Sequence, residues 1–174
     1  MHTNNGKNLR RMTMTALFMA LVTVTTLLIG VPVPATQGYI NIGDTAVFLA
    51  ALVGGPQIGL IAGGFGSALA DVIGGYAHWA PWTLVIKGLE GLIVGWLAVR
   101  AYRRQGPFAP RVLLGMGLGV AFMVVGYYLA GGLMKGFAAS LTEIPGNLIQ
   151  GSVSIVLALP LLAAMRALNL HGPR

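Results

Sequence analysis

Six apolar runs in succession constrain this chain more tightly than any other feature. They cover residues 12–31, 41–53, 57–73, 82–102, 111–133 and 141–168. A helix that crosses a bilayer needs about 20 predominantly apolar residues, or somewhat fewer. Only 9% of the 174 residues are charged and the mean hydropathy is +0.79. Soluble chains carry about 25% charged residues. An all-α membrane protein is therefore expected, a six-transmembrane-helix bundle in which residues 12–170 form one domain between polar tails at 1–11 and 171–174. The run at 41–53 is short at the limit, so a re-entrant hairpin over the second and third runs is the alternative.

The breaks between runs have local causes. Pro32 and Pro34 stop the first run, and residues 31–39 read as an ordered loop. Gly54-Gly55-Pro56 is a turn signal, and residues 74–81 form a loop carrying Tyr76, His78 and Trp79. Residues 103–111 hold Gly106, Pro107 and Pro110 and must be an exposed connection. Pro145 suits the first turn of the last helix, while Pro160 should kink it, which a bundle can absorb. A basic start followed by an apolar run also describes a secretory signal peptide. Further runs follow, however, and no small-x-small cleavage site closes the first, so a retained helix is expected.

The net charge of +7 is a matter of topology rather than nucleic-acid binding. With six spans, one side of the membrane collects Lys7, Arg10, Arg11, Arg100, Arg103, Arg104, Arg111, Arg166 and Arg174. The other side has only Lys135, and Lys87 lies within a span. Positively charged residues favour the cytoplasmic side, so both termini are expected there, beside anionic lipid headgroups.

With this orientation the four acids gather at the outer ends. Asp44 opens the second span and Asp71 closes the third, while Glu143 opens the sixth. Lys87 and Glu90 lie about two turns or less inward from Pro81, spaced i,i+3 so that they share a face and can pair. Asn147 and Gln150 repeat that spacing on the sixth span. Polar groups inside an apolar sequence avoid lipid and mark pathways or sites. Tyr39, Tyr76, Trp79, Trp82, Tyr127 and Tyr128 lie around the same rim. The expected arrangement is a polar cup with aromatic walls, open outward and closed inward, suited to a small planar hydrogen-bonding solute. Simpler roles exist for each part: Asp44 and Glu143 as helix caps, Lys87–Glu90 as a structural ion pair, and the aromatics as interface anchors.

Several chemistries lack their residues. There is no cysteine, which removes disulfides, thiolate zinc sites and cysteine nucleophiles. His2, His78 and His171 have no metal-ligand spacing, and no cofactor is implied. Gly63-Gly64-Phe65-Gly66 is not a nucleotide loop, because it lies within an apolar span and no lysine follows. A hydrolase built on Ser67, Asp71 and His78 would need His78 to reach Ser67 from a loop. The pairs Gly59-x3-Gly63, Gly91-x3-Gly95, Gly115-x3-Gly119 and Gly132-x3-Gly136 are patterns that let helices approach closely.

Residues 38–95, with GD, ADVIGG and IKGLEG, and residues 143–151, EIPGNLIQG, resemble the substrate-binding S components of energy-coupling factor (ECF) vitamin importers, more specifically the riboflavin-type group. The length, the six-helix plan and Ala16-x3-Ala20 fit too. The resemblance implies capture of a vitamin or precursor at the outer face. It also implies docking against a T component driven by two ATPase subunits, contacted through Ala16 and Ala20. The loop at 31–39 would be a lid, and the whole chain would topple in the membrane to deliver its cargo. The candidate substrate-binding residues are then Tyr39, Asp71, Trp79, Lys87, Glu90, Asn147 and Gln150. Relatives with these motifs serve flavin, pyridoxine-like, hydroxymethylpyrimidine-like and cobalamin substrates. The alternative function is a stand-alone proton-coupled transporter using Lys87 and Glu90, which calls for an internal repeat that residues 96–174 do not supply.

Overall fold

The computed structural model describes residues 3–34 and 37–168. In chain order the elements are α1 (Thr3–Leu28), β1 (Gly30–Val33), β2 (Gly38–Asn41), α2 (Gly43–Leu49, continued by a π-helical turn at Ala50–Gly54), α3 (Pro56–Ile73), α4 (Ala80–Gln105), α5 (Pro110–Lys135), the one-turn α6 (Phe137–Ser140) and α7 (Glu143–Ala167). Five of these helices are long and apolar enough to cross a membrane. This is an all-α, multi-pass membrane protein with one small β-hairpin.

The short second run becomes the centre of the molecule. From Gly43 to Val53 every residue of α2 is buried, and Phe48 and Leu52 are fully enclosed. At 1.5 Å per residue α2 spans only about 18 Å, too short to cross alone. It nevertheless reaches the far end of the bundle, because Val53 and Gly54 lie with Lys7, Arg10 and Arg11. α3 then returns from Pro56 at that end to Asp71 beneath the hairpin, so the second and third runs each traverse the bundle. At the Gly54-Gly55-Pro56 turn Gly55 takes φ +96, a left-handed conformation that favours glycine, and Pro56 starts α3 at the position where its missing N–H costs nothing.

Glycines set the tightest helix pair, α3 against α4. A Cβ on Gly59 would lie 2.7 Å from the Gly91 carbonyl oxygen, and one on Gly95 would lie 2.5 Å from the Pro56 Cα. Gly115 and Gly119 likewise face Ala98 and Val94. The fourth pattern differs: Gly132 faces the Phe137 ring, and Gly136, at φ +91 with open space around it, ends α5 in a turn. On α1, Val22, Thr23 and Thr26 face inward, and the Thr23 hydroxyl donates to the Gly66 carbonyl at 2.9 Å.

Three local expectations change. The loop at 31–39 is part of an antiparallel hairpin with Gly30 opposite Asn41 and Pro32 opposite Tyr39. Residues 3–11, expected as a polar tail, extend α1 as helix. α4 starts at Ala80 rather than Trp82, so Glu90 lies about 15 Å along it, nearer three turns than two. As expected, Pro160 lies inside α7 without ending it. His2, His171, Arg174 and the tail at 171–174 lie outside the described residues.

The charge asymmetry is visible in space. Lys7, Arg10, Arg11 and Arg103 share one groove, and Arg100, Arg104 and Arg111 another, of about 710 Å³, at the same end. Arg166 closes that end by donating to the carbonyls of Tyr102 at 2.9 Å and Arg104 at 3.2 Å. The acids lie toward the hairpin end.

Candidate functional site

The hairpin roofs a polar cavity. Its lining is Gly38, Tyr39 and Asn41 from the hairpin, Asp71 from α3, Trp79 and Thr83 around the start of α4, Tyr127 from α5, and Glu143, Asn147 and Gln150 from α7. Helical spacing explains the convergence. Asn147 and Gln150 follow Glu143 at intervals of four and three residues, which keeps all three on one face. Five of the seven residues expected from the sequence, Tyr39, Asp71, Trp79, Asn147 and Gln150, lie in this lining.

Lys87 and Glu90 do not. They sit one layer deeper, 2% and 0% exposed, in a closed network beneath the cavity floor. The Lys87 ammonium bridges Asp44 Oδ1 and Glu90 Oε2, the latter at 2.9 Å, and touches the Met123 sulfur. An ammonium has three protons, and these contacts use them. Gln150 Nε2 donates to Asp44 Oδ2 at 3.0 Å, while Gln150 Oε1 accepts the Asn41 backbone N–H at 2.9 Å. One chain of hydrogen bonds thus runs from Glu90 through Lys87, Asp44 and Gln150 to the base of the hairpin.

Asp44 is not a cap. Its carboxylate is spent on Lys87 and Gln150, and the first N–H of α2, that of Gly43, is met instead by the Asn41 side chain at 2.8 Å. Glu143 lies in the first turn of α7 and pairs with Lys135 at 2.8 Å. Below the network the core is hydrocarbon, with Phe48, Leu52, Val94, Met116 and Leu162, until the buried Tyr102 hydroxyl donates to the Leu162 carbonyl at 3.1 Å.

Side chains from three helices hold the hairpin down. The Tyr39 hydroxyl donates to Asp71 Oδ1 at 2.7 Å. Burial first, and then the Asp71 carboxylate, push the pKa of that hydroxyl up, so it remains a neutral donor. Trp79 Nε1 donates to the Gln37 carbonyl at 3.2 Å, and the Lys135 ammonium lies 4.7 Å from the Trp79 ring centre. The Tyr39 and Tyr76 rings are 4.5 Å apart, and Trp79 meets Tyr127 edge-on at 5.8 Å. Tyr127 in turn donates to Thr83 at 3.1 Å. Trp82 and Tyr128 stand away from the cavity: Trp82 is largely turned outward, and Tyr128 packs on Phe137.

As it stands the cavity holds about 40 Å³, far less than the roughly 300–1,000 Å³ of pockets that take drug-sized ligands. Thr83 and Asn41 are lining residues that sequence spacing did not single out. Asn41 could have been found from its place two residues before a helix start, where Asn commonly bonds the following backbone. Ser67 is buried and His78 is exposed on the α3–α4 loop, which gives the hydrolase arrangement no support.

The family model for the ECF-type riboflavin transporter S component matches residues 6–167. A Pyrococcus woesei protein described as an uncharacterized protein in gap 3′ region is 46% identical over 136 residues, covering 78% of this chain and 88% of its own. The thiamine precursor transporter HmpT of Lactococcus lactis subsp. cremoris is 29% identical over 155 residues, 88% of this chain and 86% of its own. A UPF0397 protein of Streptococcus agalactiae is 31% identical over 94 residues, about half of either chain. With nearly its whole length matched, a multi-pass helical architecture and a hairpin-roofed polar cavity, this chain belongs to the family described as ECF-type riboflavin transporter, S component.

Proposed function

We propose that the cavity beneath the hairpin binds a vitamin or vitamin precursor from outside the cell, and that the chain imports it as the substrate-binding subunit of an ECF-type ABC transporter. The observation that carries this reading is the roofed cavity itself. Tyr39, Asp71, Trp79, Asn147 and Gln150 line one shared cavity beneath the hairpin, which hydrogen bonds from Tyr39, Asn41 and Trp79 tie to the helices and the turn below. Asn147 and Gln150 would read the polar edge of the solute, and Trp79, Tyr39 and Tyr127 its flat faces. Lys87 and Glu90 serve as the floor that holds Gln150 and α2 in place. Membership in the family supports a T component and two ATPase subunits as partners. The exposure of Ala16 and Ala20 on α1 is compatible with docking there. The arginine-rich end faces the cytoplasm by the positive-inside rule, in the cell membrane.

The family description and the name of the Lactococcus relative make riboflavin and a thiamine precursor the first solutes to test, with pyridoxine and cobalamin after them. The chain, produced alone and extracted in mild detergent, is expected to carry one small molecule per protein, identified by mass spectrometry after denaturation. If it carries none, and binds none of the four solutes in titration calorimetry, the proposal fails. The second reading, a stand-alone proton-coupled carrier, draws on the buried Glu90, whose Oε1 accepts no hydrogen bond from any described residue. Uptake into vesicles holding only this chain, driven by a pH gradient without ATP, would favour it.

A further inference from the structure

The arginine-rich end carries a groove that capture of a solute beneath the hairpin does not explain. Trp96, Arg100 and Arg104 follow one another at intervals of four on α4, so they form a single stripe, and all three are exposed. Together with Arg111 at the start of α5 they line a groove of about 710 Å³. Arg111 is fixed in place, because its Nε donates to the Leu97 carbonyl at 3.0 Å. That bond keeps both Nη groups for another acceptor, and a guanidinium presented in this way matches a phosphate. The chain's own acids do not meet this charge. Asp44 and Glu90 are paired with Lys87, Glu143 is paired with Lys135, and Asp71 lines the cavity beneath the hairpin.

The groove does not end at the arginines. A second groove of about 420 Å³ shares Leu97 and Arg111 with it and runs on along α5 past Leu114, Gly115 and Leu118. Leu114 and Leu118 are 62% and 46% exposed. Trp96, 76% exposed, lies about one turn inward from Arg100, as an aromatic at a membrane interface does. A free phosphate would use only the basic half of this surface. An amphiphile uses both halves.

We infer that the α4–α5 groove binds one anionic phospholipid, with its phosphodiester among Arg100, Arg104 and Arg111 and an acyl chain along Leu114 and Leu118. Basic pockets between membrane helices suit such head groups. The inference is independent of what the cavity beneath the hairpin takes.

The full chain in mild detergent is titrated with phosphatidylglycerol or with phosphatidylcholine of the same acyl chains, and bound lipid is counted by native mass spectrometry. One phosphatidylglycerol is expected to be retained, about tenfold or more tighter than phosphatidylcholine. The triple variant Arg100→Gln, Arg104→Gln, Arg111→Gln should weaken its binding about tenfold or more. The control Lys7→Gln, Arg10→Gln, Arg11→Gln removes the same charge from the same end and should stay within threefold of the wild type. Equal losses in the two variants, or equal retention of the two lipids, would mean diffuse surface charge and would overturn the inference. Displacement of the lipid by inorganic phosphate or by glycerophosphoglycerol, the deacylated head group, would overturn it in favour of a small-anion site. Phosphatidylglycerol with a photoactivatable acyl chain is expected to label residues 97–118 of the wild-type chain. Labelling centred elsewhere overturns the inference, and this arm decides the matter even if a variant does not fold. Retention of no phosphatidylglycerol overturns it outright; loss of T-component capture by the groove variant would then assign the groove to a protein contact.

Discussion

Replacing Lys87 by methionine tests whether the charged network is the mechanical floor of the site. The Lys87 Nζ lies 2.9 Å from Glu90 Oε2 and in direct contact with Asp44 Oδ1. At an effective dielectric of about 20, one such pair at 2.9 Å is worth roughly 6 kcal/mol of Coulomb attraction, most of it cancelled by the cost of removing both ions from water. Lys87→Met removes the attraction but leaves two carboxyls, 1% and 0% exposed, facing each other. Breaking a buried pair from one side typically costs about 3–5 kcal/mol, which for a domain of this size lowers the melting temperature on the order of 10 °C. The triple variant Lys87→Met, Asp44→Asn, Glu90→Gln leaves no charge behind and is expected to regain at least half of that loss, since a whole buried ion cluster exchanges for neutral groups at little net cost. Thermal unfolding in one detergent, followed by tryptophan fluorescence, measures both. A single variant within about 1 kcal/mol of wild type, or a triple variant no better than the single, would refute the assignment of this network as a mutually compensating floor.

Gly91→Leu should prevent α3 and α4 from closing, because even a Cβ at residue 91 overlaps the Gly59 backbone; loss of monodisperse protein is expected. Gly117→Ala on α5, with nothing within 4 Å, should leave melting unchanged or raise it by up to about 1 kcal/mol equivalent. Gln150→Leu cuts the link between Asp44 and the Asn41 N–H, so hydrogen exchange at Asn41 should accelerate about fivefold or more; unchanged protection there would show that the hairpin is held elsewhere. Ala20→Leu on exposed α1 should leave solute binding intact and reduce ATP-dependent uptake in the assembled transporter, and uptake equal to wild type would remove this face from the docking surface.

The helices were legible because apolar runs and proline or glycine breaks act locally. The α3–α4 glycine contacts were legible for a related reason: small residues four apart on a helix have few uses other than close approach. The hairpin was not. Pro32 and Pro34 read as loop; the pairing of β1 with β2 makes Pro32 strand, while Pro34 lies in the turn that follows. The depth of Lys87 was also hidden. Periodicity puts Lys87 and Glu90 on one face, yet whether that face meets a cavity or a carboxylate depends on where α2 sits. Asp44, forty-three residues away, supplies the partner. A carboxylate at a helix start looks like a cap in any single sequence, and nothing local distinguishes the two uses.

Placing the ions under the cavity rather than in it has a physical consequence for a binding protein that must also release. A solute that replaced Lys87 or Asp44 as an ionic partner would have to break a buried pair to enter and leave another unpaired on departure, each event costing several kcal/mol. Contacts to Asn147, Gln150 and the aromatic walls require no such exchange. The network meets the hairpin where Gln150 Oε1 takes the Asn41 N–H and, at the start of α2, where Asn41 Oδ1 takes the Gly43 N–H. Lifting the hairpin sacrifices the Gln150–Asn41 bond, the Tyr39–Asp71 bond and the Trp79–Gln37 bond, each worth about 1 kcal/mol net, or more for the one to a charged group. The same sequence thus separates a floor built from compensated charge from a roof held by single hydrogen bonds, one of them to the Asp71 carboxylate.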